Sequence, residues 1–469
     1  MRLLLLNPPD TQKIASEVPA RINAEVSSLP PLGLLYLESY LAKHGDWDIK
    51  LLDARSGNLS YQDLEREIAG FSPQVLGLTG HTHNLLDMLE ISRMTKALNP
   101  DLFIVWGGPH ATAFPETAAR FPEVSALVVG EGEETFRELL ENFARTGGPG
   151  DTPGVAYQRA GEVVLNPPRE LIRDLDSLPF PRREKLDLNA YFSSAGKGER
   201  ATSLASSRGC PYRCAFCSTP KTAFRRRSAQ NVVDELERCA ALGVKEVYLV
   251  DDTFNVDKPR VREIGQEILK RGLKIAWTIR ARVDLLEFET LKILKQAGLS
   301  RIQLGVETAS PEGLQALGKD LTPEQIVQGF KMIQKAGITT AAYFMLGLPT
   351  EKTKADILAT IEFAKKLKPD YCLFGILTLY PGTELYRQAL EQGVVKAEVW
   401  DKFLTSPYRE FRLPTWNRFF TEDQLREYLD LAYRKFYLRG SYVLKNLLET
   451  RSLAQLGHKI KAGLGILKQ

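Results

Sequence analysis

The chain of 469 residues reads as an α/β protein in three parts: a doubly wound, Rossmann-like N-terminal domain, a partial (βα)6 TIM barrel, and a small helical C-terminal region. Three observations predict this. Over residues 1–145 short apolar runs alternate with helix-period patterns, the mark of a parallel sheet with helices on both faces. The alternation restarts at Thr202 with a repeat of roughly 30–40 residues, the length of a strand–helix unit, and it stops near Lys396. With 43% hydrophobic residues there is enough apolar material for two or three cores.

In the first part, strands are expected at 3–6, 49–52, 75–78, 103–106 and 126–129, with helices over 34–42, 61–69 and 85–98. Each strand runs into a loop of small or polar residues: Asn7–Pro8–Pro9, Asp53–Ala54–Arg55, Thr79–Gly80–His81, Gly107–Gly108–Pro109–His110 and Gly130–Glu131–Gly132–Glu133. In such sheets a ligand lies across the carboxyl ends of the strands, where these loops collect. The glycines also suit ordinary helix–strand turns, so taken alone they leave both readings open.

Residues 146–200 read as a connector, with Gly147–Gly148–Pro149–Gly150, a hairpin over 155–164 and the stiffening Leu178–Pro179–Phe180–Pro181. The barrel occupies 201–395, with strands expected at 203–206, 246–250, 275–279, 301–306, 340–346 and 371–377. The last part, 396–469, opens with an aromatic stretch (Trp400, Phe403, Tyr408, Phe411, Trp416, Phe419, Phe420) that either lines an apolar pocket or packs the open end of the barrel; packing is the favoured reading. A helix follows over 423–438.

The chain has five cysteines, and three of them fall within eight residues, Cys210, Cys214 and Cys217. Cys239 and Cys372 stand alone, so no second pair completes a zinc site. A disulfide would leave one of the three over, and Arg2 is followed by only four leucines, too short for an export signal. A cytoplasmic, reducing setting is expected. Three thiolates suit an iron–sulfur cluster. On a [4Fe–4S] cube they leave one iron open, which points to chemistry and not to a structural staple.

The run RGCPYRCAFC, Arg208 to Cys217, resembles the cluster loop of the radical S-adenosylmethionine superfamily, including the aromatic Phe216 before the third cysteine. The resemblance implies that S-adenosylmethionine chelates the open iron and is cleaved reductively to a 5′-deoxyadenosyl radical. It also implies that polar residues at the barrel's strand ends cradle that cofactor. Asp251 and Asp252 would receive its amino group, Arg280 and Arg282 its carboxylate, Glu307 its ribose hydroxyls, and Gly347 would line the same mouth. Helix capping is an equal alternative for neighbours such as Thr308 and Thr383.

The order PPLG, GLTG, WGGPH and VVGEGE makes the first domain resemble the cobalamin-binding domain fused to many of these enzymes. The expected cobalamin contacts are Pro31, Gly33, Thr79, Gly80, His81, Gly107, Gly108, Pro109 and Glu131. None of the five histidines sits in the Asp-x-His-x-x-Gly pattern of classical modules, so no protein histidine is expected on cobalt. His81 and His83 read as loop or ligand-tail contacts.

The function implied is methylation of an unactivated carbon on a lipid-like or other small molecule. Radical cyclisation, oxidation or carbon–carbon coupling without methyl transfer is the alternative, and a non-catalytic sensor the second. A reductant such as flavodoxin or ferredoxin is the expected partner. The net charge of +4 argues against a nucleic-acid binder. From Arg434 onward, however, eight Lys or Arg face one acid, a local +7. There Leu453, Leu456, Ile460, Leu464 and Leu467 share a helical face beside Lys459, Lys461 and Lys468, which would suit contact with the inner membrane surface. No apolar run approaches the roughly 18 residues of a membrane span.

Overall fold

The computed structural model describes residues 1–14, 28–193 and 199–448. The first domain is built on β1 (Arg2–Asn7), β2 (Asp48–Asp53), β3 (Val75–Thr79), β4 (Phe103–Gly107) and β5 (Ala126–Val128), all parallel, in the order β2-β1-β3-β4-β5. Leu3 to Leu6 of β1 are fully buried, as an unbroken leucine run covered on both faces must be. Helices Leu32–His44, Tyr61–Phe71, Leu85–Leu98 and Gly132–Thr146 cover the sheet. The strand order reverses between β1 and β3. The crevice of a doubly wound sheet opens at that reversal, beside Asn7 and Thr79–Gly80.

The hairpin expected in the connector belongs to this sheet. β6 (Val155–Arg159) pairs antiparallel with β5, and β7 (Glu162–Leu165) with β6, making seven strands. The glycine-rich turn that reads as a boundary at 146 only stops a helix: Gly147 caps Gly132–Thr146 at φ +75 and the chain folds back onto the sheet.

The second sheet contains β8 (Ala201–Leu204), then β11 (Glu246–Leu249), β12 (Ala276–Ala281), β13 (Leu299–Glu307), β14 (Thr339–Leu346) and β15 (Tyr371–Ile376). All six are parallel and lie side by side in chain order, the winding of a barrel left open between β8 and β15. A separate two-stranded ribbon, β9 (Ser207–Arg208) with β10 (Arg225–Arg226), stands at the end of β8.

Helix Glu422–Tyr437 covers the free edge at β15. Its Tyr433 hydroxyl donates to Phe374 O at 2.9 Å and accepts from Phe374 N at 3.2 Å. Tyr437 does the same to Cys372, at 2.8 and 3.0 Å. The aromatic stretch before this helix is packing: Trp400, Phe403, Phe411 and Trp416 are buried, and Trp400 lies 6.4 Å from Phe114 of the first domain. One apolar core therefore spans the first domain, the cysteine loop and the C-terminal region. Among the described residues no helix is long and apolar enough to cross a membrane. The amphipathic face at 453–467 lies outside the described residues.

Candidate active site

The cysteine loop hangs from the β9–β10 ribbon. Gly209 closes its neck at φ +80, where a Cβ would sit 2.5 Å from Ala223 O, so only glycine lets the two arms meet. Ala215 then pins the loop on both sides: its N–H donates to Leu317 O and its carbonyl accepts from Leu385 N, each at 2.9 Å. A turn from Cys217 N to Cys214 O at 3.2 Å brings the last two cysteines to one side. The guanidinium of Arg282 lies 3.8 Å from the centre of the Tyr212 ring. Arg282 is itself held through its backbone by Asn255, at 2.9 Å in both directions, and pairs with Asp284 at 3.1 Å. Phe216 is half-buried in the shared apolar core.

Cys210, Cys214 and Cys217 are free thiols, each partly exposed. Burial pushes the Cys214 thiol up, and the cations of Lys319 and Arg282 pull against that. Among the described residues, no three His, Cys, Asp or Glu side chains converge on a single ion. Three soft thiol donors on one braced loop fit an iron–sulfur cluster held through three cysteines.

The strand ends around the loop divide into two kinds. Asp251, at the end of β11, is buried and its carboxylate is consumed inside the protein: Ser206 N at 2.6 Å, Ser206 Oγ at 2.5 Å and Ser207 Oγ at 2.7 Å. This corrects the ligand role expected of it; it fixes the start of the ribbon. Arg282 is likewise engaged, as a brace on Tyr212. Asp252 and Arg280 both reach solvent at the mouth, and partial desolvation by the surrounding protein raises the Asp252 carboxyl while the Arg280 charge pulls it back down. Glu307 ends β13 at φ +68, with Oε1 held by Lys319 at 2.6 Å. Gly347, at φ +78, donates to the buried Glu351 at 2.7 Å.

Across from this mouth the first domain presents its own strand ends. The loops after β3 and β4 are locked together by Gly80 N to Gly107 O at 3.2 Å and His110 N to Gly80 O at 3.0 Å. Gly108, at φ +87, is the keystone: a Cβ there would meet Thr79 Oγ1 at 2.7 Å and the Gly80 backbone at 3.1 Å. Pro109 starts the next helical turn, exposed, and Pro31 precedes the helix carrying Gly33, above which a Cβ would meet nothing within 4 Å. His81 stacks on His83 with ring centres 5.2 Å apart, and desolvation lowers both imidazoles, His83 down to about 4. This open shelf of glycines and stacked rings at the strand-order reversal fits a large flat cofactor.

Glu131 departs from its expected role. It accepts from Arg225 at 2.8 and 2.9 Å and from Ile172 N at 3.0 Å, so it clasps the ribbon. Beside it the buried Glu133 takes Arg208 at 2.5 Å. The two acids of one loop thus grip both strands of the ribbon that carries the cysteines. Sequence reasoning missed Glu133, Arg225, Lys319 and Glu351 as members of this site. The spacing of Glu131 and Glu133 was visible, but nothing marked a carboxylate for a partner about 75 residues or more away.

A braced triple-cysteine loop at the mouth of an open barrel, gripped by the strand ends of a doubly wound domain, defines a two-cofactor enzyme of the radical type. Residues 204–382 match the family model of the radical SAM superfamily, and residues 22–140 that of the B12 binding domain. An uncharacterized methyltransferase of Pyrococcus horikoshii is 34% identical over 96% of this chain and 95% of its own. The anaerobic magnesium-protoporphyrin IX monomethyl ester cyclase of Rubrivivax gelatinosus is 30% identical, over 79% of this chain and 68% of its own. Among solved structures, the cobalamin-dependent radical enzyme OxsB, with aqua-cobalamin and S-adenosylmethionine bound, shares the fold at TM-score 0.73 and 19% identity, over 98% of this chain and 70% of that one.

The chain belongs to the cobalamin-dependent radical S-adenosylmethionine enzymes. Its cofactors are a [4Fe–4S] cluster, S-adenosylmethionine and cobalamin. Enzymes of this superfamily take electrons from a reductant and act on small molecules.

Proposed function

We propose that this enzyme transfers a methyl group to an unactivated carbon of a small molecule, with a flavodoxin- or ferredoxin-like protein as electron donor. The observation that carries the reading is the 34% identity with a methyltransferase along practically the whole of both chains. Carbon without a useful pKa or lone pair is beyond acid–base chemistry, so the cofactors supply the hard step: a carbon radical from S-adenosylmethionine at the cluster, and a methyl carrier in cobalamin.

The chain's own residues would then bind and orient. Cys210, Cys214 and Cys217 would hold the cluster. Asp252 would receive the amino group of S-adenosylmethionine and Arg280 its carboxylate, while the Glu307 oxygen not taken by Lys319 would accept a ribose hydroxyl. In the first domain, Pro31, Gly33, Thr79, Gly80, His81, Gly107, Gly108 and Pro109 would form the cobalamin shelf. The substrate class we favour is an apolar, lipid-like molecule, with the C-terminal tail in contact with a membrane surface.

The second reading is radical ring closure without methyl transfer, favoured by the 30% identity to the cyclase. Reconstituted enzyme is supplied with S-adenosylmethionine carrying a labelled methyl group and an extract of cell metabolites and lipids. Label entering a product heavier by one methylene unit supports methylation. A product of unchanged carbon count, with deoxyadenosine released and no label transferred, supports ring closure.

A further inference from the structure

Lys319 enters neither the cysteine motif nor the row of strand-end residues, yet it is built into the floor under Cys214. The segment Leu317–Gly318–Lys319 runs directly beneath the loop. Leu317 O receives Ala215 N at 2.9 Å, and Gly318, at φ +65, is so close that a Cβ would lie 3.2 Å from Arg213 O and 3.8 Å from Cys214 Cα. The next side chain, Lys319, is buried, and its ammonium donates to Gly305 O at 2.7 Å and to Glu307 Oε1 at 2.6 Å.

The acceptor is unusual. Glu307 is a non-glycine residue at φ +68, and the β13–β14 register slips between Gly305 and Glu307. A left-handed glutamate costs energy and persists where its surroundings hold it. Gly305 is part of the same device, since a Cβ there would stand 2.4 Å from Glu307 Oε1 and 2.7 Å from Lys319 Nζ. A bulge, a strained carboxylate and a buried ammonium are thus packed as one unit, and the ammonium is carried by the residue that follows Gly318, whose backbone abuts Arg213 and Cys214. A buried Lys is rare without a partner, but a partner alone does not explain why the pair is placed under the cysteine loop and not elsewhere in the core.

We propose that Lys319 is a positioning residue that sets the reduction potential of the cluster bound through Cys214 and aims Glu307 at S-adenosylmethionine. Adding an electron to the cluster adds negative charge, which a fixed cation in a poorly screened site stabilises. Glu307 offsets part of that charge, so the pair is a two-part adjustment: removing the cation lowers the potential and removing the anion raises it.

This rests on the three cysteines holding a [4Fe–4S] cluster, and the experiment separates the two. Wild type, Lys319→Met, Lys319→Arg, Glu307→Gln and the double variant Lys319→Met/Glu307→Gln are reconstituted anaerobically and assayed for iron. Each is then titrated electrochemically while the reduced cluster is followed by electron paramagnetic resonance, and the affinity for S-adenosylmethionine is measured. K319M should shift the midpoint potential negative and E307Q positive. K319R should stay near wild type, and the double variant should recover the potential but not the affinity, which should fall about tenfold or more when Glu307 loses its hold. Wild type without iron would overturn the cluster assignment itself. K319M with a full cluster and an unmoved potential would overturn the role of Lys319; where K319M binds no cluster, an unmoved potential in E307Q does the same.

Discussion

The guanidinium of Arg208 donates to the Glu133 carboxylate through both of its terminal nitrogens, at 2.5 and 3.3 Å, and lies over the ring of Tyr36 at 5.4 Å. Arg208 stands two residues before the first cysteine, whereas Glu133 and Tyr36 belong to the cobalamin domain. The neighbouring acids Glu133 and Glu131 raise the Arg208 pKa against the effect of burial. One ion pair therefore ties the neck of the cluster loop to the domain that carries the other cofactor.

Removing one side of that pair should loosen the two domains together. Glu133→Ala leaves a largely buried cation with only Glu131 at 3.3 Å and should cost on the order of 2–3 kcal/mol. The check is thermal unfolding followed by iron and corrinoid content after gel filtration. Retention of both cofactors with an unchanged Tm would show that the clasp does not matter.

The cysteines divide cleanly. Cys214→Ala should lose the cluster's absorption and its four irons, whereas Cys239→Ala, buried in the barrel core, should keep both and lose only a little stability. Iron analysis of the two variants side by side is the measurement, and a persistent cluster in C214A would refute the ligand set.

Gly108→Ala forces a Cβ against Thr79 Oγ1 and the Gly80 backbone at a φ that side chains rarely adopt. The two strand-end loops should part, and the variant should purify with little or no corrinoid. A normal corrinoid spectrum in G108A would place cobalamin elsewhere.

Glu351 carries a pH dependence. Its carboxyl is raised by burial to about 7 even though Gly347 N, Leu348 N and Thr360 Oγ1 donate to it. A raised pKa in the folded state means that this group's contribution is complete below its unfolded value near 4.5 and is lost as pH rises through about 7. Glu351→Gln keeps an oxygen for the two backbone donors and should flatten the fall in Tm between those values. An unchanged pH profile in E351Q would assign the slope to other groups.

Much of this fold was legible because buried parallel strands must be written as apolar runs: Leu3–Leu6 and Ala342–Leu346 announce themselves. The cysteine spacing was equally plain. What could not be read was which polar groups at the strand ends are left over. Asp251 and Asp252 are identical in sequence terms, yet the first is exhausted by two serines and the second faces the mouth. Glu131 looked like a ligand group because its loop sits at a strand end, and it was claimed by Arg225, 94 residues on. Lys319 gave no signal, since a lone lysine after a helix suggests a solvated surface. Long-range pairing decides these cases, and local pattern does not carry it.

Tyr433 and Tyr437 satisfy the N–H and C=O groups of Phe374 and Cys372 on β15, standing in for a seventh strand. They lie about 60 residues after the strand they protect. During synthesis, β15 leaves the ribosome well before its cover does, so for several seconds the nascent barrel offers a bare edge to other chains. Translation rate and chaperone access over that interval bear directly on the yield of usable enzyme.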